Sequence, residues 1–515
     1  MQDLRLVDLL AAISVATDLG MGQEPEKAIC SCLLATGLAR RLDLPDEDVR
    51  DVYMTTLLRH LGCTATAHEE AFFFGGDELV WRPPAERADF GNAAEAVKLM
   101  LATGKGTGLN RPRHFARAMR AGKKGGDRIV RALCEVASHM ADRLGLGDGV
   151  TAALYQVMER WDGKGGPEGM RGDSIALPAR IAEVATQAVI FDRAAGATAA
   201  AAMVAKRAGG WFDPAIADAF KNHGEKLLAE IAAGDPWQAV LDAEPAPVRT
   251  IGPVNLDLAL RTFADLVDLK SPFTLGHSSD VAEIAERAAR ALGLPDAEAT
   301  DLRRAALLHD LGRTGVSNGI WDKQGSLTTS EWESVRLHPY HTERILSRSS
   351  VLKPLARIAG MHHERQDGSG YHHAASGTEI PTVVRLLAAA DAYQAMTQER
   401  PHRAARSPEE AAEAVGAEAA AGRLDPECAR AVCEAAGVGA ALPTSKAERP
   451  AGLSEREIEV IRLLARGKSN RQIARDLFIS PRTAEHHVQN IYAKIGASTR
   501  ASAAVYAMEH DLLRR

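Results

Sequence analysis

Aromatic residues make up only 5% of this 515-residue chain, there are six cysteines, and alternating strand-type patterns are scarce. The cysteines, at 30, 32, 63, 134, 428 and 433, form no C-x-x-C pair and keep no regular spacing. That excludes a disulfide framework and a zinc ribbon and leaves buried, reduced thiols as the expectation. Long apolar runs are missing as well. No stretch is long enough to span a bilayer, and the opening MQDLRLVDLL has neither the basic start nor the apolar centre of a secretion signal. No membrane partner and cytoplasmic residence are therefore predicted. What the chain does have is Ala-rich and Leu-rich 3.6-residue periodicity punctuated by Gly and Pro, which predicts an all-α protein.

The length exceeds what one hydrophobic core serves, so several domains are expected. Two stretches rich in Pro and small residues read as linkers, DAEPAPVRTIGPV (242–254) and ALPTSKAERPAG (441–452), and divide the chain into 1–241, 255–440 and 453–515. The first two parts resemble each other. YMTTLLRHLGCT (53–64) lies on RRAALLHDLGRT (303–314), and ERWDGKGGPEGMRGDSIALPARIAEVAT (159–186) lies on ERQDGSGYHHAASGTEIPTVVRLLAAAD (364–391). WFDPAIADAF echoes RLDPECARAV in the same order, which argues for duplication of one helical unit with a longer insertion in the first copy. The chemistry of the copies differs: Arg59 and His60 stand opposite His309 and Asp310, Thr186 opposite Asp391, and Lys27 opposite His277.

Nine of the 17 histidines fall between 277 and 402, in the second copy. Along it run TLGHSSDVA (His277), LLHDLGR (His309, Asp310), RLHPYH (His338), GMHHERQDGSGY (His362, His363) and LAAADAY (Asp391). A buried His or Asp is costly without a partner, and any one of them could be a hydrogen-bonded core residue. Seven such residues in one repeat, with almost none in its sister, point instead to a metal centre. Imidazole with carboxylate suits Mn, Fe, Ni or Zn, and a carboxylate bridges two ions where an imidazole cannot.

Over roughly residues 255–445 the second repeat resembles the HD-GYP subgroup of HD-domain phosphohydrolases, on SPFTLGHS, HDLGR, LHP, HHERQDGSGY, IP and LAAADAYQAMTQERPHR. The resemblance implies an all-helical domain holding two divalent ions, commonly Fe or Mn, that hydrolyses phosphodiesters such as cyclic di-GMP. Carried over residue by residue, the ligands are His277, His309, Asp310 as the bridging carboxylate, His338, His362, His363 and Asp391. Three departures stand out. Phe273 occupies the place of a Glu found in three-metal members. Arg313 replaces the Lys expected on a substrate phosphate, and the GYP triplet reads Gly370, Tyr371, His372. Asp310 and Arg313 are the candidate catalytic pair, while His372, His373 and His402 are expected on the surface or at the substrate pocket. By the same comparison the first repeat is a degenerate copy expected to bind no metal.

The tail differs in charge. From Leu453 to Arg515 there are 11 Lys or Arg against 7 Asp or Glu, a net of +4 that leaves −10 of the total −6 for the remainder. Ser454 with Glu457 three residues on reads as a capping box, Gly467 ends that helix, SNRQIARDLF forms a second, and ISPRTAEHHVQNIYAKIG a third after a turn. Over its whole length this segment resembles the LuxR-type (GerE-like) DNA-binding domain. The resemblance implies a dimer on double-stranded DNA, with Glu485, His486 and Gln489 toward base edges and Lys468, Arg471, Arg482 and Lys494 toward phosphates. The whole chain thus reads as a one-component transcriptional regulator. In the leading reading its second repeat turns over a nucleotide or cyclic dinucleotide; in the alternative the same pocket only senses one.

Overall fold

The computed structural model describes residues 4–74, 77–102, 111–438 and 450–513. Most of the second expected linker, 441–449, lies outside them, as do Arg514 and Arg515. Among the described residues the fold is all-α but for one two-stranded ribbon, and the chain divides into two compact units, Met1–Leu258 and Ala259–Arg515.

In the first unit the helices that matter are α1 (Leu6–Gly20), α2 (Lys27–Arg41), α3 (Asp46–Leu57), α4 (Glu78–Arg87), α5 (Arg111–Arg143), α6 (Leu177–Ala195) and α7 (Pro214–Ala232). Leu34, Leu38, Val52, Val184, Phe212 and Phe220 are fully buried between α2, α3, α6 and α7 and form its core. The stretch 242–254 is fastened to this unit. Strand β2 (Thr250–Ile251) pairs antiparallel with β1 (Leu4–Arg5), and the buried Glu244 carboxylate holds Arg5 at 2.6 Å.

Helix α8 (Pro253–Asp268) leads into the second unit. There follow α9 (His277–Ala291), α10 (Asp296–Leu308), α11 (Thr329–Arg336), α12 (His338–Leu346), α13 (Lys353–Gly360), α14 (Thr382–Thr397) and α15 (Pro426–Ala435). The C-terminal module is α16 (Glu455–Ala465), α17 (Asn470–Asp476), α18 (Pro481–Ile495) and α19 (Arg500–Glu509), with its own core of Val460, Ile461, Leu464, Ile473, Val488 and Ile491. Its first helix starts at the capping box read from the sequence, Ser454 with Glu457.

The duplication extends to backbone detail. Helices α2 and α9 both start after a left-handed residue, Glu26 (φ 66°) and Gly276 (φ 75°). In both, the second helical amide donates to a buried aspartate on the preceding helix, Ala28 to Asp18 at 3.0 Å and Ser278 to Asp268 at 2.9 Å. Buried Glu159 accepts the amides of Glu168, Gly169 and Met170, as Glu364 accepts those of His373 and Ala375. Asp213 and Asp425 cap α7 and α15, and each also takes an arginine, Arg180 at 2.7 Å and Arg385 at 3.2 Å.

The tightest match is at Gly62 and Gly312. A Cβ there would stand 1.9 Å from the Leu133 carbonyl oxygen and 2.0 Å from that of His338. Leu133 therefore matches His338. The second matched block likewise sets Val157 opposite His362 and Met158 opposite His363. Gly312→Ala forces α12 away from the HD turn; we expect it to lose at least 1–3 kcal/mol, the usual range for overpacking, and to lower metal retention by displacing His338. Denaturant unfolding with metal analysis of the same sample checks this. Wild-type values for both would show that the turn tolerates a Cβ.

Candidate metal centre

Five elements deliver the seven predicted ligands to one place. His277 is the first residue of α9, His309 and Asp310 terminate α10, His338 opens α12, His362 and His363 follow α13, and Asp391 sits within α14. All are buried except His363, which is partly open. Asp310 faces two groups of imidazoles: Oδ2 lies 3.8 Å from His277 Nε2 and 3.6 Å from His309 Nε2, while Oδ1 lies 3.4 Å from His338 Nε2 and 3.8 Å from His362 Nε2. Asp391 mirrors this, with Oδ1 at 3.2 Å from His277 Nε2 and Oδ2 at 3.7 Å from His363 Nδ1.

The tautomers follow from the backbone. His309, His338 and His362 each hold Nδ1 at 2.6–2.7 Å from the carbonyl three residues earlier, on Ala306, Val335 and Ala359. A carbonyl only accepts, so Nδ1 carries the hydrogen and Nε2 of the neutral ring presents a lone pair. His338 Nε2 and His362 Nε2 then face each other at 3.1 Å, and His309 Nε2 has no hydrogen-bond partner at all. Burial pushes His362 down to about 3, with His309 and His338 adding to the shift, so a proton is not a ready remedy. Facing lone pairs on buried rings call for a cation, and the imidazole–carboxylate donor set fits a divalent metal. Three overlapping trios have donor atoms mutually within 4.8 Å: His338, His362 and His363; His277, His309 and Asp391; His309, Asp310 and His362.

Burial alone would raise the Asp310 carboxyl, but the Arg313 guanidinium and the neighbouring His309 and His338 outweigh it and hold Asp310 well below the usual carboxylate range. Arg313 donates to Asp310 Oδ2 at 2.9 Å and lies 3.9 Å over the Trp321 ring. The centre opens on a cavity of about 510 Å³. Arg313, Lys323, Arg400, Arg403, Phe273, Trp321, Trp332, Tyr371 and His402 line it beside His277, Asp310, His338, His363 and Asp391. Arg400 and Lys323 did not emerge from the reading of individual residues; the quoted ERPHR segment was the available signal for Arg400. His372 and His373 are not among the lining residues and meet Glu343 instead.

The first unit fills the matching place with its own cations. Lys27, fully buried, puts Nζ 3.2 Å from His60 Nδ1 and 3.3 Å from Glu86 Oε1, and His60 Nε2 lies 2.7 Å from the same oxygen. Arg59 pairs with Glu183 and donates to the Val157 carbonyl at 3.2 Å. Burial would raise the Glu86 carboxyl, yet Lys27 and His60 hold it well below its usual range. Glu86 comes from α4, inside the long insertion of this copy.

In the C-terminal module Arg471, Arg482, Glu485, His486 and Gln489 are exposed, while Ala484, Val488 and Ile491 turn inward. Lys468 is half-buried. Lys494 Nζ is engaged within the module, 2.7 Å from Glu457 Oε2 and 3.1 Å from the Gly452 carbonyl.

Fold and site define a class: all-helical proteins with a buried His–Asp cluster under a cation-lined cavity, here joined to a helix-turn-helix module. The HD-domain family pattern matches residues 125–216 and 261–428, and that of bacterial regulatory proteins of the luxR family matches 451–507. The chain is 33% identical over 429 residues to the 3′3′-cGAMP-specific phosphodiesterase 3 of Vibrio cholerae, spanning 82% of this chain and 93% of that protein. It is 39% identical over 137 residues to a cyclic di-GMP phosphodiesterase of Thermotoga maritima, 26% of this chain and 37% of that one. The crystal structure of a cyclic GMP-AMP-specific phosphodiesterase of V. cholerae aligns with a TM-score of 0.59 at 29% identity, covering 86% of this chain and 99% of the other. This chain belongs to the HD-domain phosphohydrolases of the HD-GYP type and carries a luxR-family domain at its C-terminal end.

Lys27→Met leaves the buried Glu86 carboxylate without its main counter-charge. We expect a loss of about 3–5 kcal/mol, the usual cost of breaking a buried pair from one side, in the urea unfolding of the first unit. A loss below about 1 kcal/mol, as for an exposed pair, would mean that Glu86 does not rely on Lys27 for its charge balance.

Proposed function

We propose that the second repeat is a two-metal phosphodiesterase for a cyclic dinucleotide, 3′3′-cGAMP or cyclic di-GMP, and that its state governs a dimeric, DNA-bound luxR-family module. The observation that carries this is Asp310, whose two carboxylate oxygens each face a separate set of imidazole lone pairs. His277, His309 and Asp391 would hold one ion, His338, His362 and His363 the other, with Asp310 between them; Fe or Mn suits the donor set. Such a pair, when bound, lowers the pKa of a shared water and neutralises developing charge on phosphoryl oxygens.

The protein's own groups supply recognition. Arg313, Lys323 and Arg400 set positive charge around the cavity for phosphates, and Trp321, Trp332, Phe273 and Tyr371 offer ring faces for two bases. Burial pushes Arg400 down to about 10, with Arg313 adding to the effect, and an incoming phosphate relieves that repulsion. Arg313 meanwhile keeps Asp310 ionised and oriented. No described helix is long and apolar enough to cross a membrane, consistent with a nucleotide substrate and a DNA partner.

Two measurements test the reading. Asp310→Ala should abolish metal retention and cut hydrolysis of either cyclic dinucleotide by at least about ten-thousandfold, the upper end of what one positioned proton-transfer group contributes, while DNA binding stays measurable. Binding of a cyclic dinucleotide without turnover by the wild-type protein would make the domain a sensor. For the module, Arg482→Ala and Arg471→Ala should each weaken DNA binding and lower the slope of log affinity against log salt by about 0.9. Lys494→Ala should mainly destabilise the module, because its ammonium is spent on Glu457. Salt slopes unchanged in both arginine variants would rule out this docking face.

A further inference from the structure

The loop after His363 ends in two histidines that the buried centre does not use. His372 and His373 direct their Nε2 atoms at one oxygen, Glu343 Oε2, at 3.2 and 2.7 Å. The three donor atoms lie within 4.8 Å of one another, and none of the residues lines the cavity. Their side chains are 18%, 40% and 25% exposed for His372, His373 and Glu343, so an ion from solution reaches them without entering the centre.

The loop needs none of these side chains for its shape. In the first repeat Pro167 and Glu168 hold the places of His372 and His373, and Ser138 that of Glu343. There Glu168 pairs with Arg131 at 2.6 Å and accepts from Tyr155 at 2.7 Å, and the buried glutamate beneath gathers the loop amides as before. The imidazole pair is thus an addition to a loop that closes without it. The backbone under the rings is also fixed. His373 and Ala375 donate their amides to buried Glu364 at 2.7 and 3.0 Å, and a Cβ at Gly370 would meet the His363 carbonyl oxygen at 2.5 Å.

Two imidazole nitrogens and one carboxylate oxygen form a three-residue zinc donor set that leaves one position for water. Bond lengths of about 2.0–2.1 Å on a tetrahedral ion place donors roughly 3.3 Å apart. The His372–Glu343 separation already meets that. The His373–Glu343 separation must open by about half an ångström, which rotation of the half-exposed His373 ring allows.

We propose that Glu343, His372 and His373 form an accessory Zn²⁺ site, separate from the buried centre, that clamps the Tyr371 loop onto α12. Tyr371 lines the cavity and stacks on His363 with centroids 4.8 Å apart, and α12 begins with His338. An ion here therefore fixes one wall of the substrate cavity from outside.

The test uses tag-free, full-length protein stripped of metal and titrated with Zn²⁺, with bound zinc counted by elemental analysis, and with Co²⁺ as an absorbing substitute. Wild type should bind about one equivalent more than His373→Ala or Glu343→Gln, and the Asp310→Ala variant should keep that equivalent while losing the buried ones. Co²⁺ should give the visible bands of a four-coordinate ion that disappear in both accessory-site variants. Both substitutions are at partly exposed side chains, and circular dichroism verifies their fold; either one that is folded decides the matter. Equal zinc counts in wild type and the folded variant, or loss of every equivalent in Asp310→Ala, overturns the proposal. Neither result bears on hydrolysis at the buried centre, which Asp310→Ala reads separately.

Discussion

The second unit depends on imidazoles being held the wrong way round for buried rings. Three backbone carbonyls, on Ala306, Val335 and Ala359, claim the Nδ1 hydrogens of His309, His338 and His362 and leave their Nε2 lone pairs converging on Asp310. His309 Nε2 finds no hydrogen-bond partner among the described residues, and Arg313 is already bonded to the carboxylate. The helices are joined short, with Gly312 against the His338 carbonyl, so the rings have little room to turn away. Rigid placement of electron-pair donors is what a metal site requires, and the backbone carbonyls that hold Nδ1 of each ring supply it.

The first repeat solves the same electrostatic problem differently on the same frame. At the position of His277 it has Lys27, at His309 it has Arg59, and at His338, His362 and His363 it has Leu133, Val157 and Met158. Lone pairs are replaced by methyl groups, and cations arrive on the chain itself. Two buried positive charges then need two negative ones. Glu183 comes from α6 and Glu86 from the insertion, and buried Asp18 stands a further 3.9 Å from Lys27. The insertion thus brings a counter-charge to the place that matches the His–Asp cluster of the second repeat.

Much of this was legible in the sequence because ligands cannot be swapped without losing their chemistry. His277, His309, Asp310, His338, His362, His363 and Asp391 stand in recognisable short motifs, and the structure gathers all seven. The helical class, the capping box at Ser454 and the duplication were legible for the same reason: each is carried by local spacing. Long-range partners were not. Glu86 lies in a segment with no counterpart to compare, so its reach to Lys27 has no local signature. Lys494 looks like any exposed basic residue on a recognition helix until Glu457, 37 residues earlier, is found beneath it. The stretch 242–254 has linker composition, yet two of its residues complete a strand pair with residues near the start of the chain. Composition reports what a segment tolerates, and only the fold reports what it meets.

The groups of metal-type donors found among the described residues all fall in the second unit. In the first unit the buried charges of Lys27, Arg59, Glu86 and Glu183 meet one another. In the second, an ion that binds the folded arrangement and not the unfolded chain stabilises it by mass action. The elements so stabilised, α12, the loop before α14 and α14 itself, are among those that line the cavity. The luxR-family module falls within the same compact unit, Ala259–Arg515. Any ligand with different affinities for two arrangements of that unit shifts the balance between them, and the size of the shift is bounded by the difference in its affinities. A centre that needs ions to be satisfied supplies such a difference, whereas a centre filled by Lys27 and Arg59 cannot. The asymmetry is thus between a copy whose buried charges are met by its own chain and a copy whose donor atoms converge without such a partner.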